Sequence, residues 1–543
     1  MGGRSVAVLL PRETIMFVHA PDFTRMQDQW HRSDIYQLYR EPAVQDFLRR
    51  PLANAPKSDT ARQTLNELKQ VGPKDAFVAL TSLEGNRPRL LAGFHFRGRQ
   101  AAVEQIIGNW RANVLRQTGN AREKLTHGRH DIEVLSVRGM TFASTYGQQW
   151  FFASNDVAQL EALLDRADAV NKDRQSTLAS DEAYQRAIGH MPREYGLLVY
   201  LQPKTLIEKL AAFRATFEEH TPSNQRTLIE QIRSVCGTIR FEHGKMHDVL
   251  FAAMPRQTDA KLARSAEGLG STDTFFYLAT LINPQNLAAL NRAAAIGPIG
   301  GWLQKFVGVA QKNGVTPEDW NTAFGSELSA LVDWTPNARW PSVIATLPVK
   351  DPARAEKIVA AVTAAIDEDA VWNKTEKDGV SYFTVESSRA VFAIHPTVGL
   401  SDRLLVAGLE PSAVEGAMKR SQSSTAPLAT SRTYRTAARA LPAPTTSFAY
   451  IDLALLYSRL DAAVRPLLLL GAAFIPAIGN DVEIGKLPPQ ETITKYLNPI
   501  VLSQRYDRDG YVAESIGPVT ANEAVLLLGL AAVYRAAIAH HVD

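Results

Sequence analysis

The chain repeats itself at long range. From Thr177 it reads TLASDEAYQRAIGHMPREYGLLVYLQPKTLIEKL, and from Pro427 it reads PLATSRTYRTAARALPAPTTSFAYIDLALLYSRL. Leu178, Ala179, Tyr184, Ala187, Pro192, Tyr200, Leu206 and Leu210 recur as Leu428, Ala429, Tyr434, Ala437, Pro442, Tyr450, Leu456 and Leu460, a constant displacement of 250 residues. Solenoid units repeat every 20–50 residues or so, so this displacement points to a duplicated domain. A chain of 543 residues accommodates two such units. Each is large enough to bury about three quarters of its unfolded surface.

Further matches follow in order. RLLAGFHFRGRQAAVEQIIGNW from Arg89 pairs with SVIATLPVKDPARAEKIVAAVTA from Ser342. Each reads as a strand, a charged turn and an amphipathic helix. Asp131–Val137 pairs with Gly379–Val385, and Trp150–Ala153 with Leu404–Ala407. Each half ends on a hairpin, turning near Gly244 in the first and at Asp509-Gly510 in the second. A strand followed by a helix start opens at Thr14, Tyr195, Phe275 and Ser447, which suggests an older quarter-repeat. Short, hairpin-linked strands predict mainly antiparallel sheets. The expected fold is therefore α+β: two homologous lobes from an internal duplication, each a mainly antiparallel sheet with helices packed on one face. Residues 11–255 form the first lobe, 256–272 a linker containing a helix, and 273–520 the second lobe. The lobes are expected to be related by a pseudo-two-fold axis.

Hydrophobic content of 45% and charged content of 21% are those of a globular protein. The 59 basic and 56 acidic residues are mixed along the chain. This argues against a general polyanion binder and so against nucleic acid as a partner, leaving weak, local nucleic-acid contact as the alternative. Cys236 is the one cysteine, so neither an intrachain disulfide nor a cysteine metal cluster can form. It is expected to be buried as a small apolar residue. The apolar run Val6–Leu10 is shorter than a signal-peptide core, and Pro11 ends it.

Two segments break the repeat. One is PLLLLGAAFIPAI from Pro466, opening an apolar insertion over residues 466–489. The other is EAVLLLGLAAVYRAAIA from Glu523, within a C-terminal helix at 521–543. Neither reaches the roughly 20 apolar residues of a membrane span. Burial between the lobes is the simpler reading, and contact with a protein partner or a membrane surface is the other. The contact candidates are Leu468, Leu469, Leu470, Phe474, Leu526, Leu527, Leu528, Leu530 and Tyr534.

No catalytic or cofactor motif rises above background. Phosphate-loop, zinc-protease and nucleophile-elbow patterns are missing from the sequence. His127 with His130 in a polar connector, and His243 with His247 across a hairpin turn, have metal-like spacings but no third ligand in view. They read as surface turn residues. Gly297, Gly300 and Gly301 lack the context of a dinucleotide loop. Asp507, Asp509 and Glu514 could form an acid–base pair, but flanking arginines favour turn and ion-pair roles. Glu327 reads as a cap or strand-start residue. The tryptophans, at 30, 110, 150, 302, 320, 334, 340 and 372, are expected to pack in the core. No catalytic residue, metal ligand or cofactor is assigned.

The segments LLPRETIMFVHAPDFTRMQDQWHRSDIYQLYREPAVQDFLRRP and LPPQETITKYLNPIVLSQRYDRDGYVAESIGPVT resemble a family of uncharacterised bacterial proteins, a domain of unknown function found in phyla such as Verrucomicrobia, Acidobacteria and Planctomycetes. The resemblance covers most of the chain and brings no catalytic residues with it. It implies a periplasmic or cell-envelope location, with the cytoplasm as the alternative. The expected function is non-catalytic binding or scaffolding, with a homo-oligomer as a possible form. A carrier of an apolar ligand between the lobes, and a hydrolase with a dispersed site, are the alternatives.

Overall fold

A computed structural model describes residues 6–54, 66–67, 69–84, 87–97, 100–118, 122–137, 140–168, 176–209, 231–282, 309, 312–336, 338–366, 372–385, 395–423, 426–474 and 483–522. Ten strands precede residue 255: β1 (Met16–Asp22), β2 (Lys74–Glu84), β3 (Arg87–His95), β4 (Arg122–His127), β5 (His130–Val137), β6 (Met140–Gly147), β7 (Trp150–Ser154), β8 (Leu197–Leu201), β9 (Val235–Glu242) and β10 (Lys245–Ala252). Ten follow: β11 (Thr274–Leu281), β12 (Glu327–Asp333), β13 (Ser342–Pro348), β14 (Trp372–Lys377), β15 (Val380–Val385), β16 (Thr397–Leu400), β17 (Leu404–Gly408), β18 (Ser447–Ile451), β19 (Ile500–Asp507) and β20 (Gly510–Gly517). Helices accompany them, so the fold is α+β.

All twenty strands belong to one antiparallel sheet. In the first half they pair in the order β4-β5-β6-β7-β3-β2-β1-β8-β9-β10. In the second the order is β14-β15-β16-β17-β13-β12-β11-β18-β19-β20. Adding ten to each strand number of the first half gives the second. The registers agree as well. Phe17 lies opposite Tyr200, as Tyr277 lies opposite Tyr450. Cys236 lies opposite Phe251, as Val501 lies opposite Ile516. One expected match is displaced: the pairings set Val134 beside Thr384, so Asp131–Val137 slips by two residues against Gly379–Val385. A two-residue slip leaves every side chain on its face, which is why the hydrophobic pattern did not reveal it.

The halves meet at β10 and β20, whose seven paired positions run from Met246 opposite Gly517 to Ala252 opposite Tyr511. Val249 lies opposite Glu514, and each is the fifth residue of its strand. The register is thus two-fold about this pair. The lobes are not two separate sheets facing across a groove; their edges are hydrogen-bonded to each other.

Helices cover both faces of the sheet, not one. Phe152, Leu91 and Phe17 pack under the helix Val157–Asp168. Phe151, Ala153 and Phe96 pack on the opposite side with the helix Gln100–Thr118. The second half divides likewise between Ile344 and Val406 on one face and Leu347 and Phe383 on the other. The cause lies in runs such as Trp150–Ala153, which are apolar at consecutive positions and therefore bury both faces. Tyr184 meets Tyr200 edge-on at 5.1 Å, and Tyr434 meets Tyr450 at 5.0 Å. These recurring tyrosines are fully buried. Trp320 and Trp334 are core residues, whereas Trp30 and Trp340 are exposed, at 39% and 58%, against expectation.

Three other expectations need correction. Residues 256–272 contain a three-residue 3-10 turn, Glu267–Leu269, instead of a helix. Ala266 and Leu269 there are buried in the second core, as Val6, Ala7 and Leu10 are in the first. Arg166 donates to the Leu9 carbonyl, and Arg420 to that of Leu269, so this segment repeats the opening one. Finally, the second hairpin turns at Arg508-Asp509, and Gly510 already lies in β20 opposite Asp507. In the first hairpin His243 and Gly244 both have positive φ, 50° and 83°.

Helices after β1 strap the halves together. Asn498 donates to Asp34 at 2.7 Å, and Glu41 receives Tyr496 Oη at 2.5 Å and Lys495 Nζ at 2.6 Å. Farther along, Arg50 pairs with Glu483 at 3.3 Å. The outermost strands β4 and β14 are charged: Glu123, Lys124, Lys374, Glu376 and Lys377 are all exposed. Charged edges resist pairing with another sheet.

Gly510 is required by the seam. A Cβ there would lie 2.1 Å from the Ala252 carbonyl oxygen, whereas one at Gly485 meets nothing within 4 Å. Gly510→Ala is therefore expected to cost about 1–3 kcal/mol in denaturant titrations, and Gly485→Ala less than about 0.5 kcal/mol.

Candidate functional site

Charged side chains converge at the seam. On one face β9 presents Arg240 and Glu242, β10 presents His247, β20 presents Glu514, and β19 presents Arg505. Strand alternation puts them there: Arg240 lies opposite His247, and Glu514 lies beside it across the seam. His247 Nδ1 is 3.0 Å from both Glu242 Oε2 and Arg240 Nη2. His247 Nε2 is 3.4 Å from Glu514 Oε2, and Arg505 Nη1 donates to Glu514 Oε1 at 2.5 Å. The His247 side chain is 7% exposed and that of Glu514 is 11%.

Burial opposes a charge on His247, but contacts with Glu514 and Glu242 outweigh it and raise its pKa. Burial likewise pushes the Glu514 carboxyl up, and the contacts from His247 and Arg505 more than reverse this, leaving it low. The hydrogen bond with His247 holds Glu242 low. On the other face Asp248 Oδ1 accepts from the Ser515 amide at 3.1 Å and from Asn522 Nδ2 at 2.9 Å. Every one of these contacts joins protein to protein, and half of them cross the seam. Their chemistry is that of a joint.

The remaining candidates are also spent on the fold. His127 and His130 flank the tight turn between β4 and β5, not a polar connector. His127 Nε2 meets Asp165 at 2.8 Å, and His130 Nε2 meets Asp168 at 3.0 Å. These contacts tie the hairpin to the helix above it, as Lys377 and Glu415 do at 3.1 Å in the second half. Among the described residues no group of three or more His, Cys, Asp or Glu is arranged to hold a metal. Glu327 opens β12, and its carboxylate accepts the backbone amides of Ala263, Arg264 and Ser265 at 2.6–2.9 Å. Asp507 lies 3.4 Å from His190 Nδ1. Cys236 is fully buried, which pushes its thiol pKa up and keeps it from acting as a nucleophile.

His247 is the residue that the sequence reading missed. It was read as a surface turn residue, yet it is buried between two carboxylates. The strand alternation of β10 sets it on the same face as Val249 and Phe251, which was the available signal. Of the apolar contact candidates, Leu468 is half-buried in the helix Leu453–Phe474. Leu469, Leu470 and Phe474 lie in the last turns of that helix. Leu526, Leu527, Leu528, Leu530 and Tyr534 lie outside the described residues, as do Gly297, Gly300 and Gly301. The helix runs unbroken through Pro466, so the insertion begins inside it. Leu460 and Leu467 face solvent there, at 44% and 62% exposure. Among the described residues no helix is long and apolar enough to cross a membrane.

No family model matches the chain, and no curated protein matches it. A solved structure, crystal form I of TP0453, aligns with 48% of this chain and 80% of its own at 12% identity, with a TM-score of 0.23.

The seam charges fix the response to acid. Glu242 and Glu514 have lowered folded-state pKa values, so their stabilisation is present above the ordinary glutamate value of about 4.3 and is lost as pH falls through the folded values. Glu514→Gln is expected to flatten the acid limb of a stability–pH curve. It should also cost about 3 kcal/mol near neutrality, because Arg505 and His247 lose their buried partner.

Proposed function

We propose that this protein is a non-catalytic binding or scaffold protein of the bacterial cell envelope, built from two homologous lobes of an internal duplication. The matched strand orders and registers of the halves support the duplication. The resemblance of its opening and late segments to an envelope-directed family supports the location.

One observation carries the binding reading. Leu460 and Leu467 stand seven residues apart on one helix, two turns along the same stripe, and both face outward. Below them Arg465 fastens the helix, through Asp461 and the carbonyls of Leu487 and Pro488. The helix is thus held by its polar side and offers apolar side chains to a protein partner or membrane surface. The His247–Glu514 pair, in contrast, faces inward within the fold. The near balance of basic and acidic residues offers nucleic acid no strong general attraction.

The test is fractionation of native cells, followed by mass spectrometry of what accompanies the protein. A Leu460→Asp/Leu467→Asp variant is expected to keep its melting temperature, because both positions are exposed. It should lose the partner or membrane association of the wild type. Association that survives both substitutions would remove this surface from the proposal, and a wild type that is solitary in every fraction would overturn it.

A further inference from the structure

We propose that the joint between the two ten-strand halves is a pH-sensitive latch keyed by His247. The imidazole stands at the second of the seven paired positions of the joint, opposite Ile516, and each of its nitrogens faces a carboxylate: Nδ1 faces Glu242 on its own side, beside Arg240, and Nε2 faces Glu514 across the seam. A neutral imidazole has one N–H and one lone pair. It satisfies one carboxylate and turns a lone pair toward the other. The imidazolium attracts both, Glu242 across the 3.0 Å contact at Nδ1 and Glu514 through an ion contact at 3.4 Å, and so links β9 through β10 to β20.

The surrounding charges give this ring leverage. Arg240 and Glu242 on β9, Glu514 on β20 and Arg505 on β19 are the charged groups that face it. His243 in the β9–β10 turn acts on Glu242, and His190 with Asp507 forms a separate pair. The two arginines and two glutamates cancel, so the proton on His247 decides the net charge. When it leaves, Arg240, 3.0 Å from Glu242, takes that carboxylate over within the first half. The contact from His247 to Glu514 then loses its charge. Glu514 lies opposite Val249, at the centre of the two-fold register. What is weakened is therefore the middle of the only ladder joining the halves among the described strands.

The sign follows from the direction of the shift. A histidine raised in the folded state stabilises it below about pH 6.5, its unfolded value, and loses that contribution as pH rises through the folded value. The latch is closed in acid down to the point where the glutamates protonate, and looser in base.

Hydrogen–deuterium exchange on the full chain tests this between pH 5.5 and 8.5, corrected for intrinsic exchange. In the wild type, protection of peptides covering 245–252 and 510–517 should fall with rising pH relative to peptides covering 342–348, a strand without histidine. In His247→Gln the relative protection of the seam should not change with pH. A wild-type seam whose relative protection is constant overturns the proposal, whether or not the variant folds. So does a folded His247→Gln variant that keeps the wild-type pH dependence.

Discussion

The molecule depends on one edge-to-edge pairing. Each half of the chain completes nine strand pairings of its own and leaves a final strand with an open row of amides and carbonyls, β10 in one half and β20 in the other. Open edges are a hazard for any sheet, because they template pairing with other chains. Here each half covers the edge of the other. The covering requires that two stretches more than 250 residues apart in the sequence meet in register, and three features enforce it. Gly510 lets the backbones approach, the buried His247 and Glu514 with the half-buried Arg240, Glu242 and Arg505 line the joint, and the helices after β1 reach over to Asn498, Tyr496 and Glu483.

The symmetry at this joint is incomplete in an informative way. Arg240 and Arg505 hold equivalent places, each opposite a β10 or β20 residue on the core face. Val249 and Glu514 also hold equivalent places, yet one is apolar and the other ionised. A buried charge must be paired, and Arg505 lies beside Glu514 while His247 fills the remaining side. The departure from perfect repetition is what makes the joint electrostatic.

Much of the architecture was legible in the sequence, and the rest was hidden for identifiable reasons. The recurring Tyr184/Tyr434 and Tyr200/Tyr450 stand out because large buried aromatics tolerate little change, and they are indeed packed against each other in each core. Antiparallel, hairpin-linked strands were readable from turn residues such as His243-Gly244. The seam was not, because pairing between β10 and β20 joins residues more than 250 apart and leaves no local pattern. Helices on both faces were missed because an apolar run such as Trp150–Ala153 does not say which neighbours bury it. His247 was misread because it stands four residues from a turn histidine, and its neighbours in the sheet come from the other half of the chain. The apolar stretch at Pro466 was seen, but its outward-facing residues are Leu460 and Leu467, one of which lies before the stretch begins.

The charged outer strands have a consequence of scale. Neighbouring strands lie about 4.8 Å apart, so twenty of them span roughly 90 Å when measured along the hydrogen-bonding direction. Lysines and glutamates on β4 and β14 close both ends of that span. Both ends of the sheet thus carry charges that disfavour edge-to-edge pairing with another copy.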